Sequence, residues 1–272
     1  MLIQLRFEME NNKMIRALVS PLKNYSRKMA VKTFANTSDA EYLKSLKDIH
    51  KGQRCFIIGN GPSLQAKDLD KLKNEVTFAS NRIYHIFPKT DWRPTYYVCL
   101  DLSVLNTECE HIQNLALDNI FLSTVARPLI TQKSNVHFFQ EYGKFEINKF
   151  DVKNIEMSED ISKYISIGYS VTTASIQMAF YMGFQTIYLL GVDHNYAMSF
   201  NKNGKIINDP SVKTYFGGSK EQFYSIQSTL SVTRGYESAY RFARKKGIHI
   251  FNATRGGKLE VFPRVDFDTL FD

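Results

Sequence analysis

The alternation of short apolar runs with helical segments, from residue 54 onward, constrains the fold of this chain most. Continuous apolar strands that are separated by helices are typical of a mostly parallel sheet covered on both faces. We therefore expect an α/β, Rossmann-like domain with helices on both faces of that sheet. The strand-like runs are CFIIG (55–59), EVTFASN (75–81), TYYVCLD (95–101), NIFLSTV (119–125), VHFFQ (136–140), TIYLLGVD (186–193) and IHIFNAT (248–254), and the helical segments are 63–74, 170–183 and 219–247.

Residues 1–50 differ from the remainder, because basic side chains alternate there with apolar ones at helical spacing. We expect a basic helical segment over 1–50, interrupted near Pro21, and a catalytic domain over 51–272. Two roles stay open for the segment: surface helices packed on the domain, or a basic amphipathic surface that contacts an anionic membrane or a partner. Residues 201–220 are polar and rich in turn residues, which predicts a long flexible loop.

The net charge of +8 and the pI of about 9.2 favour anionic partners, either phosphorylated small molecules or anionic lipid. No recognisable nucleic-acid-binding motif is present, so we expect no nucleic-acid partner. The three cysteines show no zinc spacing and no disulfide framework, and Cys55 and Cys99 lie in apolar runs. Because no apolar run approaches the roughly 20 residues of a membrane span, we expect a cytoplasmic protein.

Polar or small residues follow five of the predicted strands. Ligands of parallel α/β folds bind at the carboxyl ends of the strands, so these residues form the candidate site. They are Gly59-Asn60-Gly61, Ser80-Asn81-Arg82, Asp101, Gly191-Val192-Asp193-His194 and Asn252-Ala253-Thr254.

The turn GNGPSL after the first strand has two interpretations. Gly59 and Gly61 allow close backbone approach, and amides before a helix capped by Ser63 can bind an anion, with Asn60 donating or accepting beside it. The sequence lacks the third glycine of GxGxxG and the lysine of a P-loop, so a plain strand–helix turn is the alternative.

Four further groups are candidates for binding or chemistry. Ser170 and Thr172 begin a helix, where they either cap it or hold phosphate or ribose. His194 can serve as a general base, and Arg82 can meet a phosphate. Asp101 and Asp193 can share a cleft, either as a base with its orienting group or around Mg²⁺.

The blocks FIIGNGPSL, FASNRIY and MGFQTIYLLGVDHNY resemble a domain family with two branches. One branch holds the bacterial sialyltransferases of glycosyltransferase family 42, which use CMP-sialic acid. The other holds hydroxymethylpterin pyrophosphokinases and motility-accessory glycosyltransferases. The resemblance extends over roughly 51–271 and implies a GT-A-variant fold without a metal-binding DxD motif.

The resemblance also implies roles for individual residues. Asn60 and Gly61 would contact the donor nucleotide, Asn81 would lie near the cytidine, and Ser170 and Thr172 would lie near the donor. Sialyltransferases carry a catalytic histidine in the loop that corresponds to residues 201–220, where this chain has none. His194 or Tyr215 is then expected to take that role. Our assignment is catalytic His194, Asp193 and Tyr215, with donor contacts from Gly59, Asn60, Gly61, Ser63, Asn81, Arg82, Asp101, Ser170, Thr172 and Gly191.

The function expected is transfer of a nonulosonic sugar from a CMP-activated donor to a hydroxyl of a surface glycan or glycoconjugate. The CMP-sugar is a substrate, and neither a cofactor nor a metal is expected. One alternative is a Mg-ATP-dependent pyrophosphokinase acting on a hydroxymethylpterin-like alcohol. Another is a nucleotide-sugar-binding accessory protein without catalysis. The oligomeric state stays open.

Overall fold

The computed structural model describes residues 12–131, 133–144, 150, 152, 155–213 and 227–271. Its helices are α1 (Lys13–Phe34), α2 (Ser38–Ser45), α3 (Ala66–Asp70), α4 (Leu102–Gln113), α5 (Val171–Tyr181) and α6 (Thr229–Lys246). Its strands are β1 (Arg54–Ile58), β2 (Val76–Ser80), β3 (Tyr96–Cys99), β4 (Ile120–Ser123), β5 (Val136–Phe139), β6 (Glu141–Tyr142), β7 (Ile165–Ser166), β8 (Thr186–Leu190), β9 (Met198–Phe200), β10 (Ile206–Asn208), β11 (Gln227–Ser228) and β12 (His249–Asn252).

The main sheet has seven strands in the order β12-β8-β1-β2-β3-β4-β5. Every neighbouring pair is parallel, which confirms the predicted Rossmann-like fold. The chain moves outward from β1 in one direction through β5 and then returns to place β8 on the other side of β1. The gap between β1 and β8 is therefore the topological switch point, where folds of this kind place their ligands.

Alternate residues of the strands point to opposite faces of the sheet, and each face is buried by helices. On one face, Ile57 and Phe78 share an apolar core with residues of α2, α5 and α6. On the other face, Phe56 and Ala79 share a core with residues of α3, α4 and the C-terminal segment. Burial of both faces explains why the strands are apolar throughout rather than alternating.

Two small sheets lie outside the main one. β6 pairs in parallel with β7, and β9 pairs with β10 and β11. The antiparallel β9–β10 pairing shows that the prediction of a flexible loop was wrong for residues 206–208, because Ile206, Ile207 and Asn208 form an exposed hairpin strand. The predicted helix over 219–247 was wrong for 227–228, which form β11 before α6 begins.

Helix α1 is continuous, so the predicted interruption at Pro21 was wrong. A proline inside a helix removes one backbone hydrogen bond, and the other bonds of this 22-residue helix carry it through that position. Helix α2 packs on the sheet: Ala40 and Leu43 belong to its core, and Asp39 accepts from the Phe138 amide and pairs with Arg127 at 2.6 Å. The division at residue 50 stays a prediction.

Two helix starts bear on the site. Ser170 caps α5, as one of the two interpretations predicted, and its hydroxyl accepts from the Thr172 amide at 3.2 Å. Ser63 is not a cap, because α3 begins three residues later, after Gln65. None of the described helices is long and apolar enough to cross a membrane.

Candidate active site

A cleft of about 740 Å³ opens at the carboxyl ends of β1, β2 and β3, beside the switch point. The start of α5, the β6–β7 pair and the loop after β8 form its other walls, and Tyr236 of α6 also lines it. The cleft therefore lies where the topology predicts a ligand site. Its lining includes eleven of the predicted site residues, namely Gly59, Asn60, Gly61, Asn81, Arg82, Asp101, Ser170, Thr172, Gly191, Asp193 and His194.

The turn after β1 and the loop after β8 are in close contact. The Gly59 amide donates to Leu190 O, and the Gly61 amide donates to Gly191 O, both at 2.8 Å. A Cβ at Gly59 would overlap Gly191 O, and a Cβ at Gly61 would overlap the carboxylate of Asp193. The two glycines are thus required for this contact between loops, as well as for any approach of a ligand.

Asn60, which lines the cleft, carries a buried acceptor without a hydrogen-bond donor among the described residues. Its Nδ2 donates to Ser80 O at 2.9 Å, and since that partner is a carbonyl, the amide orientation is fixed. Its Oδ1 is buried and receives no hydrogen bond from the described part of the chain. A buried acceptor without a donor is costly, and a ligand donor in the cleft would satisfy it.

Three non-glycine residues of the cleft have a left-handed backbone: Asn81 (φ 51°), Tyr169 (φ 61°) and His194 (φ 52°). Asn81 is held there by its carbonyl, which accepts from the Tyr97 hydroxyl at 2.7 Å. Such conformations cost free energy and cluster at functional sites. Their gathering around one cleft supports a functional role for it.

The N-terminus of α5 is locked against α6. The Ser170 hydroxyl lies 3.1 Å from that of Tyr236. A Cβ at Gly235 would overlap Gly168 O, so the two segments meet backbone to backbone. The amide of Thr172 donates to the Ser170 hydroxyl, and those of Thr173 and Ala174 donate to Ser170 O, so the helix offers the cleft mainly its positive dipole end, which favours a phosphate.

The cleft is not basic, although the whole chain is. Asp101, Glu141 and Asp193 line it, whereas Arg82 is its single arginine or lysine among the described residues. The guanidinium of Arg82 is buried against α4, with Nε 3.3 Å from Glu108 Oε1 and Nη2 3.1 Å from Thr107 Oγ1. An anionic ligand would therefore be held mainly by amides and hydroxyls.

The carboxylates of the cleft already have internal partners. Asp101 Oδ1 caps α4 by accepting from the Ser103 amide (2.9 Å) and hydroxyl (2.7 Å). Asp193 Oδ2 accepts from the Ser63 hydroxyl at 2.7 Å, and burial raises the pKa of Asp193. Burial also raises the pKa of Glu141, which accepts from Ser123.

His194 is held in a defined tautomer. The Thr233 hydroxyl donates to Thr229 O at 2.9 Å, so it accepts from His194 Nε2 at 2.8 Å. The proton then lies on Nε2, and Nδ1, 3.4 Å from the Tyr196 hydroxyl, keeps its lone pair. Burial lowers the pKa of His194 to about 4, so the ring is neutral at pH 7.

Five of the predicted residues are not part of the described lining, and two of them, Asn252 and Ala253, are buried at the end of β12. Thr254 does not line the cleft but braces its wall, because its hydroxyl accepts from the Val192 amide at 3.0 Å. Ser63 supports the site from outside the lining, through Asp193. Tyr215 lies outside the described residues.

Sequence reasoning missed three parts of the cleft: Glu141 with the β6–β7 wall, Tyr169 and Tyr236. Two-residue strands carry no hydrophobic pattern that would predict them. Gly235 was an available signal for Tyr236, since a glycine inside a helix often marks a close approach.

No group of three or more His, Cys, Asp or Glu that could hold a metal occurs among the described residues. Mg²⁺ often uses one or two carboxylates together with substrate phosphates. Asp101 and Asp193 both line the cleft and fit that minimal set, although one oxygen of each is committed to an internal hydrogen bond.

The fold and the cleft define a Rossmann-like α/β protein with a polar cleft at the switch point of its parallel sheet. Residues 27–199, more than half of the chain, match the family model described as 6-hydroxymethylpterin diphosphokinase MptE-like. The chain belongs to this MptE-like family, which confirms the family resemblance of its sequence blocks.

Comparison with solved structures finds the sialyltransferase CstII from Campylobacter jejuni. One such structure holds a substrate analogue, cytidine-5′-monophosphate, and has 15% identity and a TM-score of 0.45, covering 79% of this chain and 85% of that one. A second, with CMP-3FNeuAc, has 15% identity and a TM-score of 0.43, covering 78% and 86%. No curated protein sequence matches the chain.

Proposed function

We propose that the cleft binds a CMP-activated nonulosonic sugar and transfers the sugar to a hydroxyl of a surface glycan or glycoconjugate. The observation that carries the proposal is the unsatisfied Oδ1 of Asn60 beside the start of α5. An acceptor that lacks a donor, in the same cleft as the positive end of a helix, matches a ligand with hydrogen-bond donors at one end and phosphate at the other. A cytidine monophosphate has both.

The leaving phosphate would be stabilised by the start of α5. As the bond between the anomeric carbon and the phosphate oxygen breaks, negative charge collects on CMP. The amides of α5, with the hydroxyls of Ser170 and Thr172, are fixed before the reaction and so stabilise that charge without reorganisation.

His194 would take the acceptor proton on Nδ1. A pKa of about 4 makes this nitrogen a weak base. Glycosyl transfer passes through an oxocarbenium-like state, and a hydroxyl that has begun to bond to such a carbon becomes strongly acidic. A weak base that is neutral at pH 7 can therefore serve, and the proton passes on to water after CMP leaves.

The second candidate is pyrophosphoryl transfer from Mg-ATP to a hydroxymethylpterin-like alcohol. The description of the matching family model favours it, and Asp101 and Asp193 would be the metal ligands. Bound Mg²⁺ would neutralise charge on the phosphates. The third candidate, an accessory protein that binds a nucleotide sugar without catalysis, differs from the first only in turnover.

A thermal-shift panel of CMP, CDP, UDP and ATP, each with and without Mg²⁺, separates the candidates. Stabilisation by CMP without Mg²⁺ supports the glycosyltransferase, and stabilisation by ATP only with Mg²⁺ overturns it in favour of the pyrophosphokinase. If CMP binds but CMP-N-acetylneuraminic acid is neither hydrolysed nor transferred, the accessory protein replaces both enzymes.

Helix α1 is the part of the chain that would approach a membrane. Five large apolar side chains are exposed on one side of it at helical spacing: Met14, Leu18, Leu22, Tyr25 and Met29. The helix carries no acidic residue, and the exposed Lys28 and Lys32 continue the same side. An anionic bilayer surface complements both properties, and contact there would bring the cleft near a lipid-linked acceptor.

A further inference from the structure

A second cavity lies on the other side of His194 from the cleft. It has a volume of about 680 Å³ and is formed between one side of α6 and the segment 258–261. His194 lines both cavities. A group in either cavity is therefore adjacent to the same imidazole.

The α6 wall of the second cavity is built by helical spacing. Thr229, Thr233, Glu237 and Arg241 follow one another at intervals of four residues, so their side chains lie along one face. Tyr240 extends this wall and is held edge-on against Phe262, with ring centroids 5.7 Å apart.

The opposite wall is fixed to the loop that carries His194. The Lys258 amide donates to Asp193 O at 2.7 Å, and the Asn252 side chain donates to Leu259 O at 2.8 Å. The cavity is thus joined through the backbone to the same loop as the cleft, and its position relative to His194 is rigidly defined.

The charged side chains that line the second cavity favour a ligand without net charge. Two acidic residues, Glu237 and Glu260, face two basic ones, Arg241 and Lys258, so the lining has no net charge. A polyanion gains little from such a surface. A sugar suits it, because each hydroxyl both donates and accepts, and because its C–H face packs on an aromatic ring such as Tyr240.

We infer that the second cavity binds a saccharide unit of the acceptor glycan next to the unit that reacts, so that the glycan passes His194 and its reacting hydroxyl meets Nδ1 on the cleft side. This inference rests on the proposed glycosyl transfer and adds the place and the chemical class of the second substrate. The neutral lining accounts for a hydroxyl-bearing sugar ring there, whereas the helix amides of the cleft account for the phosphate of the donor.

The test compares Arg241→Ala with Arg244→Ala. Both arginines are exposed on α6 within one turn of each other, but only Arg241 lines the cavity. On the best wild-type acceptor from a panel of oligosaccharides, Arg241→Ala should raise the KM for acceptor about tenfold, the usual effect of losing one charge-assisted hydrogen bond. Release of CMP from CMP-N-acetylneuraminic acid without acceptor should stay at the wild-type rate in both variants.

If Arg241→Ala folds poorly, the KM for acceptor is measured instead in Lys258→Ala, which alters the opposite wall of the cavity. Equal KM values for Arg241→Ala and Arg244→Ala, with Lys258→Ala also unchanged, would overturn the inference. If the wild-type protein uses no CMP-sugar, the proposed function fails. Direct binding of the same oligosaccharide panel then tests whether the second cavity binds a saccharide, independently of that function. Binding lost in Arg241→Ala but kept in Arg244→Ala supports it, and no binding by the wild type overturns it.

Discussion

Gly61 lies directly against Asp193, so closely that a Cβ on Gly61 would overlap the Asp193 carboxylate. This contact joins the turn after β1 to the loop after β8 across the switch point of the sheet. It explains why the GNG sequence is needed even before a ligand arrives, and it makes the loop that carries His194 sensitive to a single methyl group.

Gly61→Ala should therefore lower the free energy of unfolding by about 1–3 kcal/mol, the usual cost of forcing a methyl group into a packed site. It should also weaken CMP binding, because Asp193 and the neighbouring His194 must move. Urea denaturation and a CMP titration measure the two effects.

Gly52→Ala is the matched control. Gly52, unlike Gly61, has a positive φ of 80°, and an added Cβ there meets no atom within 4 Å. Its cost should be limited to about 1 kcal/mol of backbone strain, with CMP affinity unchanged. Equal behaviour of the two variants would contradict the contact described for Gly61.

Gly235→Ala should destabilise the protein, although the same replacement inside an ordinary helix stabilises it. Replacing glycine by alanine inside a helix normally stabilises by about 1 kcal/mol. Here the new Cβ would overlap Gly168 O and push α6 away from the start of α5. We expect net destabilisation in thermal unfolding and weaker CMP binding, and a stabilised variant with intact affinity would show that this close approach is unimportant.

The main sheet and many of the residues that line the cleft were predictable from the sequence. Apolar strands buried on both faces have a continuous pattern, and parallel strands bring residues distant in sequence, such as Asn60 and Asn81, to one edge of the sheet. The hydrogen-bond partner of the Ser63 hydroxyl could not be predicted, since that partner, Asp193, is 130 positions away in the sequence. A capping serine and a serine bound to a distant carboxylate look the same in sequence.

The small wall of the cleft was beyond sequence reasoning for a similar reason. β6 and β7 are two residues long and depend on tertiary contacts, not on local propensity. The excess of carboxylates over basic side chains in the cleft was also hidden, because the net charge of +8 describes the whole chain and says nothing about one site.

His194 should make stability depend on pH. Its pKa is lowered from 6.5 to about 4 in the folded state, so the unfolded chain takes up the proton first as the pH falls. The contribution of neutral His194 to the free energy of unfolding is fully present above about pH 6.5. It is lost progressively as the pH falls towards 4, and the total loss is about 3 kcal/mol at most. Urea denaturation between pH 7 and 4.5 measures it.

His194→Asn, which tolerates the left-handed backbone, should lose less stability than the wild type over this range. His249→Asn, at an exposed position on β12, is the control and should follow the wild type. Parallel pH curves for the wild type and His194→Asn would show that burial of His194 is not the cause.

Leu18→Glu combined with Leu22→Glu should abolish flotation with vesicles of anionic phosphatidylglycerol, because two charges replace the centre of the apolar side of α1. Ile207→Glu, another exposed apolar position, should float like the wild type. Vesicles of neutral phosphatidylcholine should bind the wild type weakly. Retention of the double variant on anionic vesicles would exclude α1 as the contact.

Calorimetric titration of CMP into the wild type and into Asn60→Ala tests the central claim most directly. The account predicts saturable binding by the wild type and about tenfold weaker binding by the variant, about 1.4 kcal/mol, because the unsatisfied Oδ1 is gone. The folded stability of both proteins, measured beside it, confirms that each is intact. Absence of CMP binding by the wild type, or equal affinity of the two proteins, would contradict the account.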